Sequence, residues 1–220
     1  YSGSVILQQS SEDRLHVRES GVDLPQEKSM HWLLKDGVLF VEYCESGYSG
    51  TFSGMDKKLT VEVPENLLIS VHTTSAGIAA DVGKQREVYL QTASGTIEAG
   101  KMTATGKIQL VAASGGIRAD SLNGEEITAT TASGSVRIGE ITATDEVRLQ
   151  STSGGVRVDS LCAVDGEAEV GCISGSVRVG SLRAGTFSAT TVSGDATVGA
   201  YECNRIDITT TSGSVRLDLG

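Results

Sequence analysis

The hexapeptide TASGSV at residues 131–136 decides the fold, because variants of it recur along most of the chain. The other copies are TTSAGI (73–78), TASGTI (92–97), AASGGI (112–117), STSGGV (151–156), CISGSV (172–177), TVSGDA (191–196) and TTSGSV (210–215). The serines of successive copies lie 19 to 21 residues apart. Self-similarity at a fixed period of this kind indicates a repeat architecture, in which one small unit stacks on the next.

Apolar residues alternate on both sides of each Ser-Gly pair. The third and fifth residues after the serine are apolar, as in Val136 and Ile138, and so are the residues six and four before it, as in Val147 and Leu149. This period of two indicates two strands per repeat, each with one buried face. The eighth residue after the serine is often large and apolar, as in Leu122, which predicts a third, shorter wall at a corner.

These features predict an all-β, single-stranded β-solenoid, similar to a β-helix, with 19–21 residues per coil and at least eight coils. Equivalent strands of successive coils would pair in parallel at about 4.8 Å. Stacking would bury the apolar side chains that a single coil leaves exposed. The Ser-Gly pairs are predicted to be corners, because Gly accepts positive φ and permits close approach. We interpret the eight serines as turn residues rather than nucleophiles, since no His recurs beside them.

The first part of the chain is less regular than the rest. Residues 65–220 are predicted to form the regular coils, and residues 1–64 to form irregular N-terminal coils that cap the same solenoid. Asp36-Gly37 is predicted to stand in for a Ser-Gly corner, because apolar residues alternate on both sides of it. A separate small β domain is the alternative, since six of the nine aromatic residues fall in residues 1–52.

Charge and composition exclude several classes of partner. The net charge of −10 argues against nucleic acid, because a phosphate-binding surface needs an excess of Lys and Arg. No apolar run reaches the roughly 18 residues that a membrane-spanning helix needs. The chain opens at Tyr1 without a Met, and we expect that a leader or membrane anchor preceded it.

Motifs of catalysis and cofactor binding are missing from the sequence. It has no G-x-G-x-x-G, P-loop, H-E-x-x-H, nucleophile elbow or EF-hand loop, so we predict no enzymatic activity, no cofactor and no metal. The four cysteines lack metal-binding spacing, and Cys172 falls at an inward position of the repeat. It is predicted to be a small buried apolar residue.

One polar feature follows the repeat. Arg118, Arg137, Arg157 and Arg178 all lie four residues after the serine and point outward, and Arg216 follows after an interruption by Thr197. Stacked in register, these arginines would form a ladder with like charges on neighbouring strands. Asp120, Asp159 and Asp218, two residues further on, are the expected partners. The ladder is either a self-paired, solvated surface or a strip that binds an acidic polysaccharide or a carboxylate-rich protein.

Aromatic residues near the N-terminus offer a second candidate binding site. Trp32, Tyr43, Tyr48 and Phe52 could form a platform on which sugar rings stack. Packing in the core or the cap is the alternative explanation for Trp32, because large aromatic residues are mostly buried.

The repeat T-x-S-G-x-V-x-V, preceded by LTVEVP at residues 59–64, resembles the bacterial "putative adhesin" family of β-solenoid domains of unknown function. The resemblance covers residues 59–220 well and the preceding residues loosely. It implies a surface-exposed or membrane-anchored protein, hence an extracytoplasmic location at the cell surface or in secreted form. It brings no catalytic or binding residues with it.

Three functions fit these observations. The first is a non-catalytic extracytoplasmic module that is structural or adhesive and binds a surface polymer or protein. The second is a spacer or self-assembly element that pairs through the open ends of the solenoid, since unpaired strand edges template association. The third and weakest is a polysaccharide-active enzyme, because β-helix enzymes gather acidic residues in a groove and the acids here are spread along the repeat.

Overall fold

The computed structural model describes residues 3–21, 29–42 and 57–218. Every regular element in these ranges is a β-strand. The strands are β1 (Gly3–Gln9), β2 (His16–Ser20), β3 (His31–Lys35), β4 (Val38–Glu42), β5 (Lys57–Val63), β6 (Leu68–Thr73), β7 (Gly77–Asp81), β8 (Lys84–Gln85), β9 (Glu87–Thr92), β10 (Ile97–Ala104), β11 (Lys107–Ala112), β12 (Ile117–Thr131), β13 (Val136–Ser151), β14 (Val156–Cys172), β15 (Val177–Ser193), β16 (Ala196–Ser212) and β17 (Val215–Leu217).

Equivalent strands stack in parallel along two faces of a solenoid. Face 1 holds the residues that follow each Ser-Gly corner, in the order β7-β10-β12-β13-β14-β15-β16-β17. Face 2 holds the residues that precede the next corner, in the order β6-β9-β11 and then the second halves of β12 to β16. The β-solenoid predicted from the repeat is confirmed.

The core is the column of residues that the alternation predicted to be inward. Val136 and Val147, from the two faces of one coil, are 0% exposed, as is Ile141 on the short wall between them. Cys172 is 5% exposed, as its register position predicted. Burying a Val or Ile side chain contributes about 1.5–3 kcal/mol, so the stability of the rod is spread evenly over its coils.

The corner glycines are required because neighbouring coils approach closely. A Cβ built on Gly134 would lie 2.1 Å from the carbonyl oxygen of Gly115, and one on Gly154 would lie 2.0 Å from that of Gly134. Positive φ, the other reason predicted for glycine, occurs only at Gly194 and Gly213 among the corner glycines. Close approach of the backbones is therefore the common cause.

A hydroxyl at the first position of most hexapeptide copies joins its corner to the preceding one. The Thr131 Oγ1 donates to the Gly115 carbonyl at 2.7 Å and accepts from the Gly134 N–H at 3.1 Å. Ser151 repeats this arrangement one coil later, with distances of 2.8 and 2.9 Å. The Cys172 thiol takes the same position but contacts the carbonyl of its own corner, that of Gly175, at 2.8 Å. The hydroxyl bonds of Thr131 and Ser151 tie successive coils together at the point where the chain turns.

Residues 3–9 join the solenoid out of chain order. β1 pairs in parallel with β7 on one side and with β5 on the other, so it adds a strand to face 1 that comes from the start of the chain. β2 then covers the outer edge of β5 in antiparallel pairing. The division of the chain at residue 64 stays a prediction.

The corner predicted at Asp36-Gly37 is wrong. These residues connect β3 and β4 in an antiparallel hairpin, with φ of 52° at Asp36 and 77° at Gly37. Two successive left-handed residues form the type of turn whose twist suits a hairpin, and Asp-Gly is a preferred sequence for it. Pairing across this turn prevents the segment from forming a coil.

A buried ion pair holds the N-terminal strands together. The Lys57 Nζ lies 2.5 Å from the Glu19 Oε1, and the Lys57 side chain is 0% exposed. The Glu19 carboxylate also accepts the Met30 N–H, at 3.0 and 3.2 Å. One carboxylate thus links β2, β5 and the start of the hairpin.

We expect Thr131→Val to destabilise the protein by about 1–3 kcal/mol, because it leaves a buried carbonyl and N–H without their hydroxyl partner at nearly unchanged volume. Urea denaturation followed by circular dichroism measures the change. Thr128→Val, at an outward and half-buried position of the same strand, is the matched control. Equal effects of the two substitutions would contradict a clamp at the corner.

We expect Glu19→Gln to destabilise the protein by about 1.5–3 kcal/mol, because the buried Lys57 ammonium and the Met30 N–H lose a charged acceptor. The double variant Glu19→Gln with Lys57→Met should lose less than the sum of the two single variants, since each of these removes the same Lys57–Glu19 interaction. A double-mutant cycle in urea measures the coupling. Additive losses would show that the pair does not act as a unit.

Candidate functional site

The four arginines of the sequence pattern form a ladder on the outside of face 1. Arg118, Arg137, Arg157 and Arg178 are exposed and lie in direct register on β12, β13, β14 and β15. At about 4.8 Å per strand, the four positions span about 14 Å along the rod. The column continues through Thr197 to Arg216 on β16 and β17. We call Arg118, Arg137, Arg157 and Arg178 the arginine ladder.

The expected aspartate partners pair with only some of the arginines. Asp159 Oδ1 lies 3.0 Å from both Nε and Nη2 of Arg157, and Asp218 lies 3.9 Å from Arg216. Within residues 57–218 no ion pair joins Arg118 to Asp120, so that expected contact is not formed. The ladder is therefore not fully neutralised by its own strands.

The compensating acid occurs on alternate coils. The residue two after the ladder arginine is Asp120, then Gly139, Asp159 and Gly180. A Cβ on Gly139 or Gly180 would lie 2.6 or 2.5 Å from the carbonyl oxygen of the preceding aspartate. The close contact thus favours glycine at this position on every second coil of the ladder. The sequence contains this signal as the tripeptides RAD, RIG, RVD and RVG that begin at the four arginines.

Small residues surround the ladder on its other side. The positions two before the arginines are Gly116, Ser135, Gly155 and Ser176. The long arginine side chains therefore project further from the sheet than these small neighbours do. A planar guanidinium presents N–H donors in a fork that matches carboxylate and sulfate oxygens. Such a surface suits an extended anionic ligand better than a compact one.

The aromatic platform is only partly within the described residues. Trp32 lies on β3 and is 67% exposed, so the alternative explanation of Trp32 as a packed core residue is wrong. Tyr43, Tyr48 and Phe52 lie outside the described residues. A sugar-binding platform there stays a prediction.

An apolar cavity that the sequence did not predict lies at the N-terminal end. It has a volume of about 520 Å³, and its lining includes Val5, Leu59, Ile69 and Val41. It forms because β1 and β5 extend face 1 beyond β7, whereas β6 is the last face 2 strand among the residues that the structure places. The order of β1 and β5 is a long-range pairing that the repeat does not encode.

No cluster of metal-ligating side chains is found in the placed parts of the chain. Across residues 3–21, 29–42 and 57–218, no three His, Cys, Asp or Glu side chains come together as a metal site. None of these residues belongs to a helix of the length and apolarity that crossing a membrane requires.

Fold and site together define a repeat protein of the parallel β-solenoid class with an exposed arginine ladder. The chain belongs to the Toastrack DUF4097 family, whose model matches residues 2–220. This confirms the resemblance drawn from the repeat. Among curated proteins, none matches the sequence.

A solved structure supports the fold. The crystal structure of a protein described as a "putative adhesin" from Bacteroides fragilis is similar to this chain, with a TM-score of 0.52 and 18% sequence identity. The similarity covers 99% of this chain and 88% of the other. At this identity the comparison shows the shared architecture.

Proposed function

We propose that this protein is a non-catalytic module of the bacterial cell surface that binds an anionic polysaccharide along the arginine ladder. The observation that carries the proposal is the register of four exposed arginines on one flat face. The name given to the Bacteroides structure supports an adhesive role and an extracytoplasmic location.

The contrast between the ladder and the rest of the molecule supports this choice. The whole chain carries a net charge of −10, so a general attraction to polyanions is not expected. Binding must therefore be local and must depend on hydrogen bonds from the guanidinium groups. Each exposed charge pair contributes only about 0.2–1 kcal/mol, so several contacts along one polymer are needed.

An acidic polysaccharide fits the strip better than an acidic protein does. The ladder is straight and repeats at one strand spacing of about 4.8 Å. A linear chain of pyranoses presents its charges at a similarly regular interval and offers hydroxyl groups to the small polar residues beside the ladder, such as Ser135 and Ser176. Carboxylates on a protein surface rarely have this regularity.

Replacing all four ladder arginines by Gln is expected to weaken binding to immobilised anionic polysaccharide by about tenfold or more. The matched control replaces Arg86, Arg148, Arg183 and Arg205 by Gln, which changes the net charge equally at positions outside the ladder. Biolayer interferometry on hyaluronate, alginate and neutral dextran, at several salt concentrations, measures the effect. Binding should weaken as salt rises.

Two results would overturn this proposal. Equal losses in the ladder variant and in the control would show that only overall charge matters. Binding of wild-type protein to an acidic polypeptide such as polyglutamate, without binding to any of the anionic polysaccharides, would assign the ladder to a protein partner.

Self-assembly through the solenoid end is a second candidate function. Among the described strands β17 pairs with β16 alone, and Val215 and Leu217 are 46% and 39% exposed. Within residues 57–218, nothing covers the outer edge of β17 or that of the second half of β16. An open edge with apolar residues is a template for pairing with another chain.

We expect reversible self-association that Val215→Lys with Leu217→Lys abolishes, because charges on an edge strand block pairing. Sedimentation velocity over a wide range of protein concentration tests this. Val164→Lys with Val192→Lys, at exposed positions away from the end, is the control. A monomer at every concentration would rule out this candidate.

A further inference from the structure

Each of the four coils carries a ladder arginine, but the net charge at the ladder differs from coil to coil. Arg157 is paired with Asp159 in the same strand. Arg118 has Asp120 two residues on and faces Glu98 in direct register on β10. These two coils therefore carry no net positive charge at the ladder. The local excess of positive charge lies elsewhere.

Arg137 and Arg178 have no acidic residue two positions on in their own strand and none in direct register on the neighbouring strands. Each is followed two residues later by glycine. Glu140 is the acidic residue nearest to Arg137 in sequence, but it lies past the interruption of the strand ladder at Gly139 and pairs with Ser121 and Ser160. The uncompensated charges are thus two coils apart, at about 10 Å.

The spacing of about 10 Å between Arg137 and Arg178 determines which polymer can contact both arginines. An extended chain of β-linked pyranoses advances by about one coil spacing per sugar, so a polymer lying along the rod puts alternate sugars at Arg137 and Arg178. An anionic group on the sugar between them would meet Arg157, whose charge is already paired with Asp159, and would gain little. The favoured polymer carries an anionic group on every second sugar.

We infer that the arginine ladder is specific for linear polysaccharides in which charged and uncharged sugars alternate, and that Arg137 and Arg178 bind the anionic groups. This rests on the proposed function and deepens it by naming the charge pattern of the ligand. Arg157, held by Asp159, and Arg118, flanked by Glu98 and Asp120, contribute little. A polymer charged on every sugar therefore loses the solvation of its middle charges without a matching contact.

Two double variants with the same net charge distinguish the contributions of the two pairs of arginines to binding. Arg137→Gln with Arg178→Gln should weaken binding of a hyaluronan oligosaccharide, which has a carboxylate on every second sugar, by about tenfold or more. Arg118→Gln with Arg157→Gln should change it by less than about threefold, because those charges are already compensated. Isothermal titration calorimetry measures both, and thermal unfolding checks that all variants are folded.

A gain of binding provides the opposite test. Wild-type protein should bind an oligomannuronate of equal length, with a carboxylate on every sugar, more weakly than the hyaluronan oligosaccharide. Asp159→Asn should raise affinity for the oligomannuronate, because it releases Arg157 to bind the middle carboxylate while the shape of the side chain is kept. The same substitution should leave hyaluronan binding nearly unchanged.

The outcomes distinguish this inference from the proposed function. If wild-type protein binds neither oligosaccharide, the proposed function fails and the inference fails with it. If both oligosaccharides bind equally, or if the two double variants lose affinity to the same extent, the ladder still binds polyanions but does not select their period. A stronger effect of the Arg118 and Arg157 variant would also overturn the inference.

Discussion

Each coil contacts the preceding one at its Ser-Gly corner, and that contact sets the spacing and register of everything else. The corner glycines lie so close to the previous carbonyl that an added Cβ would come within 1.7–2.5 Å of it. The hydroxyl of residues such as Thr131 and Ser151 then bonds to both corners at once. Steric contact excludes any residue larger than glycine at this corner position. The hydrogen bonds keep each coil in a fixed register with the preceding one. The parallel strands on both faces start from this fixed point.

Fixed register turns a single position of the repeat into a continuous column. Inward positions become an apolar core, and outward positions become rows of identical groups at the strand spacing. Such rows bring like charges together, which disfavours them unless acids or a ligand compensate. The ladder therefore has a chemical property that no single coil has. The residue two after the arginine alternates between aspartate and glycine over the four coils, as with Asp159 after Arg157 and Gly180 after Arg178.

The repeat was sufficient to predict the regular coils because its signal is local. The positions of Val136, Ile141 and Val147 relative to the serine determine which side faces inward, and the structure buries all three. The N-terminal strands obey no such rule. Alternation in residues 3–9 marks a strand but not its neighbours, so insertion between β5 and β7 could not be predicted. The Asp36-Gly37 sequence itself favours a hairpin turn, and the prediction of a coil corner overlooked that local signal. The missing contact between Arg118 and Asp120 depends on side-chain conformation, which the repeat does not determine.

The position of β1 has a consequence for how the chain reaches its folded state. Ser4 pairs with Lys58 and with Gly77, far along the sequence, whereas most other strands pair with a neighbour about one repeat away. Contacts between distant residues form slowly, because a long loop must close first. The ribosome makes this strand before β5 and β7, so it cannot dock until both of these later strands exist. Synthesis and assembly therefore proceed in different orders at this end of the solenoid.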